Sequence, residues 1–192
     1  MRHLVFLFSL CATAFLTACA AGSADVVSTG ERYSAQADLT QDYKLGIGDR
    51  LKVIVYEEPS LSGEFTVDAT GAISLALIGD VPVQDRTTAE VEDSIEAGLR
   101  QGFLREPQVT VEIVSYRPFF ILGEVNSPGQ YPFANGLTVM NAIATAQGFS
   151  PRAQRKQVYI RRAGEAEERL YALSPALKVY PGDTIRLGER YF

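Results

Sequence analysis

Reactive chemistry in this sequence concentrates at Cys19, which closes the run Leu16-Thr17-Ala18-Cys19. A thiol that follows small residues after an apolar stretch suits thioether lipidation, with cleavage before Cys19 making it the new N-terminus. Arg2 and His3 give a short polar start, and Leu4 to Leu16 is almost unbroken apolar chain. That run is short of the ~20 residues a helix needs to cross a bilayer. Its three-part layout is that of a cleaved secretory peptide. The alternatives are an ordinary secreted protein cut after Ala18, or an uncleaved anchor. Ala20, not Asp, follows the cysteine, so the expected address is the outer membrane, lipid-anchored, with the body in the periplasm.

Such cleavage also removes His3, the only histidine, and Cys11, the only other cysteine. The remainder has no imidazole base, no Cys–His or Ser–His nucleophile pair, and no His- or Cys-based zinc site. Intramolecular disulfides are excluded as well. Carboxylates remain. Glu57-Glu58 and Glu90, Glu92 and Asp93 are the acids from which a glycan-cleaving pair, spaced roughly 5 to 9.5 Å, would have to be drawn. Adjacent residues of a strand point to opposite faces, which separates Glu57 from Glu58. The other three sit at the first turn of an expected helix, where the macrodipole favours acids. The sequence therefore reads as that of a non-enzyme, with no catalytic residue, cofactor or metal ligand to assign. Without Arg2, 17 basic side chains face 23 acidic ones, a balance of −6 with no electrostatic footprint for nucleic acid.

The elements that would carry any site begin near Tyr43. Residues 1–18 read as signal peptide and 19–42 as a flexible tether rich in Ala, Ser, Thr, Gln and Asp. Leu51 to Tyr56 alternates as a strand does. Glu64 to Val67 and Ala72 to Leu75 flank Asp68-Ala69-Thr70-Gly71, which predicts a hairpin. Thr87-Thr88-Ala89-Glu90 resembles a capping box, and Val91, Ile95 and Leu99 follow on one stripe. Val109, Val111 and Ile113 alternate with polar residues in the next strand.

Farther on, Phe119 to Val125 and Gln130 to Phe133 flank Asn126-Ser127-Pro128-Gly129, read as a type II turn with Gly129 at positive φ. Thr138 caps a helix apolar nearly all round, which predicts cover on several sides. Strands are expected at Val158 to Arg161, Glu168 to Ala172 and Thr184 to Leu187. A hairpin, a helix and returning strands describe a β-grasp, so the fold class is α+β. One echo stands out: Gly48-Asp49-Arg50-Leu51-Lys52-Val53 matches Gly182-Asp183-Thr184-Ile185-Arg186-Leu187. Each copy predicts a tight turn whose Asp accepts local backbone N–H bonds and feeds a half-buried strand, and the pair suggests that the N-terminal strand returns to the C-terminal sheet.

Several side chains have both a plain and a functional reading. Glu112, Glu124 and Asp183 suit a solvated strand face or a turn cap, against a glycan contact. Tyr116, Tyr131, Tyr159 and Tyr171 suit core or interface, against stacking on sugar rings. Phe119-Phe120-Ile121-Leu122 is either a fully buried strand or one covered by a neighbouring subunit. Arg152, Arg155, Lys156, Arg161 and Arg162 suit solvated loops, against salt links to the next protomer.

An ordered series of segments resembles the bacterial polysaccharide export proteins, the Wza-type outer-membrane lipoproteins. Tyr43 to Val53, Leu61 to Phe65, Val67 to Ile73, Ile78 to Val81 and Phe103 to Val111 are similar to their export domain. Gly123 to Tyr131, Leu137 to Ile143 and Gly148 to Ala153 are similar to the SLBB β-grasp module. Ile47 departs from a usual proline and Gln147 from a common glycine. The resemblance implies an export domain over 43–115 and an SLBB domain over 116–190. It also implies a homo-oligomeric, octamer-like ring passing polysaccharide through a hydrated conduit lined by polar and acidic groups, which the residues do not identify. An inner-membrane copolymerase is the implied partner. The sequence has no C-terminal amphipathic helix after Leu187, so a separate outer-membrane β-barrel is expected too. The alternative is a monomeric glycan- or peptidoglycan-binding lipoprotein.

Overall fold

The computed structural model describes residues 43–190; the segments read as signal peptide and tether, with Cys19, lie outside the described residues. The chain runs through β1 (Arg50–Val55), β2 (Gly63–Thr66), β3 (Ala72–Leu75), β4 (Gly79–Pro82), helix α1 (Thr88–Arg100) and β5 (Val109–Ser115). It continues through β6 (Phe119–Gly123), β7 (Gly129–Tyr131), α2 (Val139–Thr145), β8 (Gln157–Arg161), β9 (Arg169–Ala172) and β10 (Thr184–Leu187).

β1 lies between β2 and β5, antiparallel to both. Its Leu51, Val53 and Val55 face inward, as period-2 alternation requires, and meet Val91, Ile95 and Leu99 of α1 in one core. α1 starts where its sequence dictates. The Thr87 hydroxyl accepts from Glu90 N while the Glu90 carboxylate accepts from Thr87 N, a complete capping box. β3 and β4 form a separate hairpin whose Ile73, Leu75 and Val81 close the same core.

The expected hairpin across Asp68 to Gly71 does not form a ladder: β2 pairs with β1, and β3 with β4. Asp68 Oδ1 accepts from Thr70 N and Ala72 N, and Gly71 O accepts from Val83 N and Gln84 N. The turn is real, but it rounds a corner between two sheets.

The second sheet has the order β7-β6-β10-β8-β9, with β10 parallel to β6 and antiparallel to β8. This α+β arrangement is the expected β-grasp. A second core packs Val139, Ala142 and Ile143 of α2 onto Phe119, Ile121, Val158, Ile160 and Ile185. Two expectations need correction. β1 does not join β10, because β2 and β5 occupy both of its edges while β6 and β8 occupy those of β10. α2 is covered on one side only, and Met140 and Ala144 are exposed.

Gly129 also differs from its reading. It is absent from the left-handed region and is the first residue of β7, and a Cβ there would find only Tyr131 Cε2 at 3.9 Å. Gly123 carries the positive φ instead, +84°. An added Cβ there would run into the Leu187 carbonyl oxygen, with Leu187 C at 3.0 Å. The parallel β6–β10 pair closes on that glycine. The loop after it docks on the end of α2 through Asn126 N to Gly148 O and Ser127 N to Ala146 O, both 3.0 Å.

Candidate functional site

The repeated Gly-Asp motif builds two copies of one turn. In each, the Asp amide donates to the carbonyl three residues back: Asp49 to Gly46 and Asp183 to Tyr180, both at 3.1 Å. Each carboxylate in turn accepts that residue's amide, at 2.8 Å from Gly46 and 2.7 Å from Tyr180. Gly48 and Gly182 supply the positive φ, at +90° and +82°. Pro181 and Ile47 hold the equivalent position before them, where a proline presets the turn.

The two turns meet at Arg117, between β5 and β6. Its backbone N donates to Asp49 Oδ1 at 2.6 Å, its Nη1 lies 3.6 Å from Asp49 Oδ2, and its Nε donates to Pro181 O at 3.1 Å. Gly46 leaves room for the guanidinium, since an added Cβ would run into it. Asp49 is completely buried and also accepts the Tyr43 hydroxyl at 2.7 Å. Burial first, and the Asp49 charge second, push the Tyr43 phenol well above its usual range, so it stays a donor. Tyr116 stands edge-on between Tyr43 and Phe133, with centroids 4.9 and 5.4 Å apart, and bridges the two cores. At the second turn Arg162 donates to Asp183, which burial pushes up despite that partner. Neither carboxylate is a glycan contact; both are turn anchors.

Of the carboxylates considered for chemistry, Glu90 and Glu92 are engaged structurally, and Asp93 is exposed on α1. Glu90 completes the cap of α1 and pairs with Lys44 at 3.3 Å. Glu92 Oε1 accepts from Val111 N at 2.8 Å, and Glu96 Oε1 from Val109 N at 3.1 Å. These two carboxylates of α1 thus cap donors along the outer edge of β5. Glu57 and Glu58 sit in the turn after β1. Glu112 is exposed on the outer face of its sheet beside Lys52, and Glu124 accepts from Ser150 and from Arg152 at 3.3 Å. Among the described residues, no group of three or more His, Cys, Asp or Glu could hold a metal ion.

Of the four tyrosines, Tyr171 is core, Tyr131 stacks on Phe119, and Tyr116 is the junction. Tyr159 alone lies on the outer face of the five-stranded sheet, where the Arg186 guanidinium covers its ring at 3.9 Å. Phe119 and Ile121 are buried, but Phe120 and Leu122 are 41% and 37% exposed, so β6 presents an apolar outer face in the single chain. Of the two readings of that run, burial on both faces is corrected. The basic residues divide. Arg152 pairs with Glu124 and Glu189 within the chain, Arg162 with Asp183, and Arg155 lies over Phe149. Arg161 donates to Thr184 Oγ1 at 3.1 Å. Sequence reasoning missed the Arg117 junction, although the Gly-Asp echo was its signal, and it missed Tyr56, 65% exposed at the end of β1.

Comparison with known proteins identifies both halves. Residues 37–114 match the polysaccharide biosynthesis/export protein family and residues 118–171 match the SLBB domain. The exopolysaccharide production protein ExoF of Rhizobium meliloti is 37% identical over 147 residues, 69% of this chain and 34% of that protein. The EPS I polysaccharide export outer membrane protein EpsA of Ralstonia nicotianae is 28% identical, over 56% of this chain and 35% of its own length. The polysialic acid transport protein KpsD of Escherichia coli is 22% identical, over 81% of this chain and 30% of its own. The chain thus spans about a third of the curated relatives it matches. These relatives are named for export, transport or production of polysaccharide, and none is named as an enzyme. With a polysaccharide biosynthesis/export domain joined to an SLBB domain through Arg117, the chain carries the two modules that fit a Wza-type polysaccharide export protein.

Proposed function

We propose that this chain is a ring-forming, periplasmic component of an outer-membrane machine that exports capsular or extracellular polysaccharide. The succession of an export domain and an SLBB domain is the observation that carries this reading, and the names of ExoF, EpsA and KpsD support it. The reading divides the chain at 43–115 and 116–190, a division that the two separate cores support. Cys19 carries a lipid that holds the chain at the outer membrane. Glycan passes through a hydrated conduit at the ring's centre without bond making or breaking. An inner-membrane copolymerase delivers the polymer, and a separate outer-membrane β-barrel receives it. The exposed apolar face of β6 is consistent with a chain built to meet copies of itself.

Deleting the chain tests the reading. Surface polysaccharide is expected to vanish while precursors accumulate inside, and normal surface glycan would refute export. Cys19→Ser is expected to abolish lipid labelling and outer-membrane fractionation; unchanged fractionation would remove the anchor.

A further inference from the structure

We propose that the outer face of the five-stranded sheet docks, in a second copy of this chain, on the corner of the export domain formed by Ile54, Tyr56, Glu57 and Glu58. The inference rests on the ring reading above and names the surfaces that would build it.

The two halves carry opposite charge. Residues 43–115 hold 6 Lys and Arg against 13 Asp and Glu, a balance of −7; residues 116–190 hold 10 against 6, a balance of +4. Unlike charges separated this way along one chain favour contact between the first half of one copy and the second half of another, and disfavour like against like.

The apolar surfaces agree with that polarity. On the β-grasp sheet, Phe120 and Leu122 stand on the face opposite the core, next in register to Thr184 and Arg186 of β10, which in turn oppose Arg161 and Tyr159 of β8. The face is an apolar strip beside guanidinium groups. Arg161 forms no salt bridge among the described residues, while Arg186 is held by Glu168 and lies over Tyr159. On the export domain, Ile54 and Tyr56 are 37% and 65% exposed at the end of β1. Glu57 and Glu58 follow directly and form no salt bridge among the described residues. Glu57 sits at φ +60°, a conformation that a non-glycine residue holds only when its surroundings fix it. This corner offers apolar area with two carboxylates that form no salt bridge; the sheet face offers apolar area with the Arg161 guanidinium, which donates to Thr184 Oγ1 and forms no salt bridge among the described residues. Because one copy carries both surfaces, the contact is head-to-tail and propagates into a ring when its rotation closes.

The test uses the full chain in detergent and two variants. The face variant is Phe120→Ser with Leu122→Ser; the corner variant is Glu57→Lys with Glu58→Lys. Sedimentation gives the mass at low and high salt, and circular dichroism melting confirms that each variant folds. Wild type is expected to form a large assembly that weakens with salt, whereas each variant alone stays monomeric, its association at least about tenfold weaker. An equimolar mixture of the two variants is expected to give dimers and nothing larger, since it restores a single contact per pair.

Assembly of either folded variant at wild-type strength overturns the proposal and leaves the ring reading standing. So does a mixture that remains monomeric. Loss of oligosaccharide binding in the face variant with assembly unchanged would give the face to glycan and refute the docking. Wild type that stays monomeric at every concentration refutes the ring itself, and this contact with it.

Discussion

Asp49→Ala is the most informative single change at the junction. The buried carboxylate takes the Tyr43 hydroxyl at 2.7 Å, Gly46 N at 2.8 Å and Arg117 N at 2.6 Å, with the Arg117 guanidinium at 3.6 Å. Alanine strands all of these donors inside the protein at once. Breaking a buried charged network from one side costs about 3 to 5 kcal/mol. At roughly 2 to 4 °C per kcal/mol for a chain of this size, the first transition should fall by about 6 to 20 °C. The loss should also be directional. Arg117 holds Asp49 more closely through its backbone amide than through its guanidinium, so Arg117→Ala keeps three of the donors and should cost about half as much or less. Asp49→Ala also removes the carboxylate tie between the two cores and leaves only the Tyr116 ring contacts and the Arg117 bond to Pro181 O, so one cooperative transition should split into two. Thermal unfolding followed by far-ultraviolet circular dichroism reads the shift, and urea unfolding followed by circular dichroism and tyrosine fluorescence reads the split. The reasoning fails if Arg117→Ala is the more damaging change, or if Asp49→Ala melts within 2 °C of wild type in a single step.

The remaining predictions concern glycines, strain and pH. Gly123→Ala should destabilise by about 2 to 4 kcal/mol, combining left-handed strain with a collision against backbone, whereas Gly129→Ala should stay within about 0.5 kcal/mol of wild type; equal effects in denaturant titration would refute the assignment. Gln147 holds φ +64° at the end of α2, so Gln147→Gly should raise stability by about 0.5 to 1 kcal/mol, and a lower melting temperature would contradict this. Hydrogen bonds from Arg186 hold the Glu168 carboxyl below its usual range, so its contribution is complete above about pH 4.5 and is lost as pH falls through the depressed value. Glu168→Gln should therefore flatten the fall in melting temperature between about pH 5 and pH 3, and an unchanged slope would count against the pair.

Local signals were legible, and non-local ones were not. The capping box at Thr87 and the stripe Val91, Ile95 and Leu99 declare α1 because everything that fixes them lies within a few turns. The β-grasp was readable for a similar reason: its hairpin, helix and returning strands each carry short-range marks. Strand partners carry none, which is why Asp68 to Gly71 promised a hairpin between strands that belong to different sheets. Pro128-Gly129 suggested a positive φ at Gly129, yet the close approach of β10 places that demand on Gly123. Phe119 to Leu122 shows no alternation in residue type although burial alternates, because one side of the strand faces nothing within the chain. The Gly-Asp echo encoded the turn that it predicts, but not a pairing between the strands that follow it. What the two turns share is Arg117, a single residue with no pattern of its own, and only the folded chain brings them to it.

The carboxylates that α1 lays along β5 reach beyond the helix itself. With Glu92 and Glu96 bound to the amides of Val111 and Val109, an incoming β-segment finds those positions already taken and cannot zip onto that border in register. Crowding many copies together therefore does not invite templated, fibre-like growth along this edge, and neighbours are left to recognise one another by surface shape and charge.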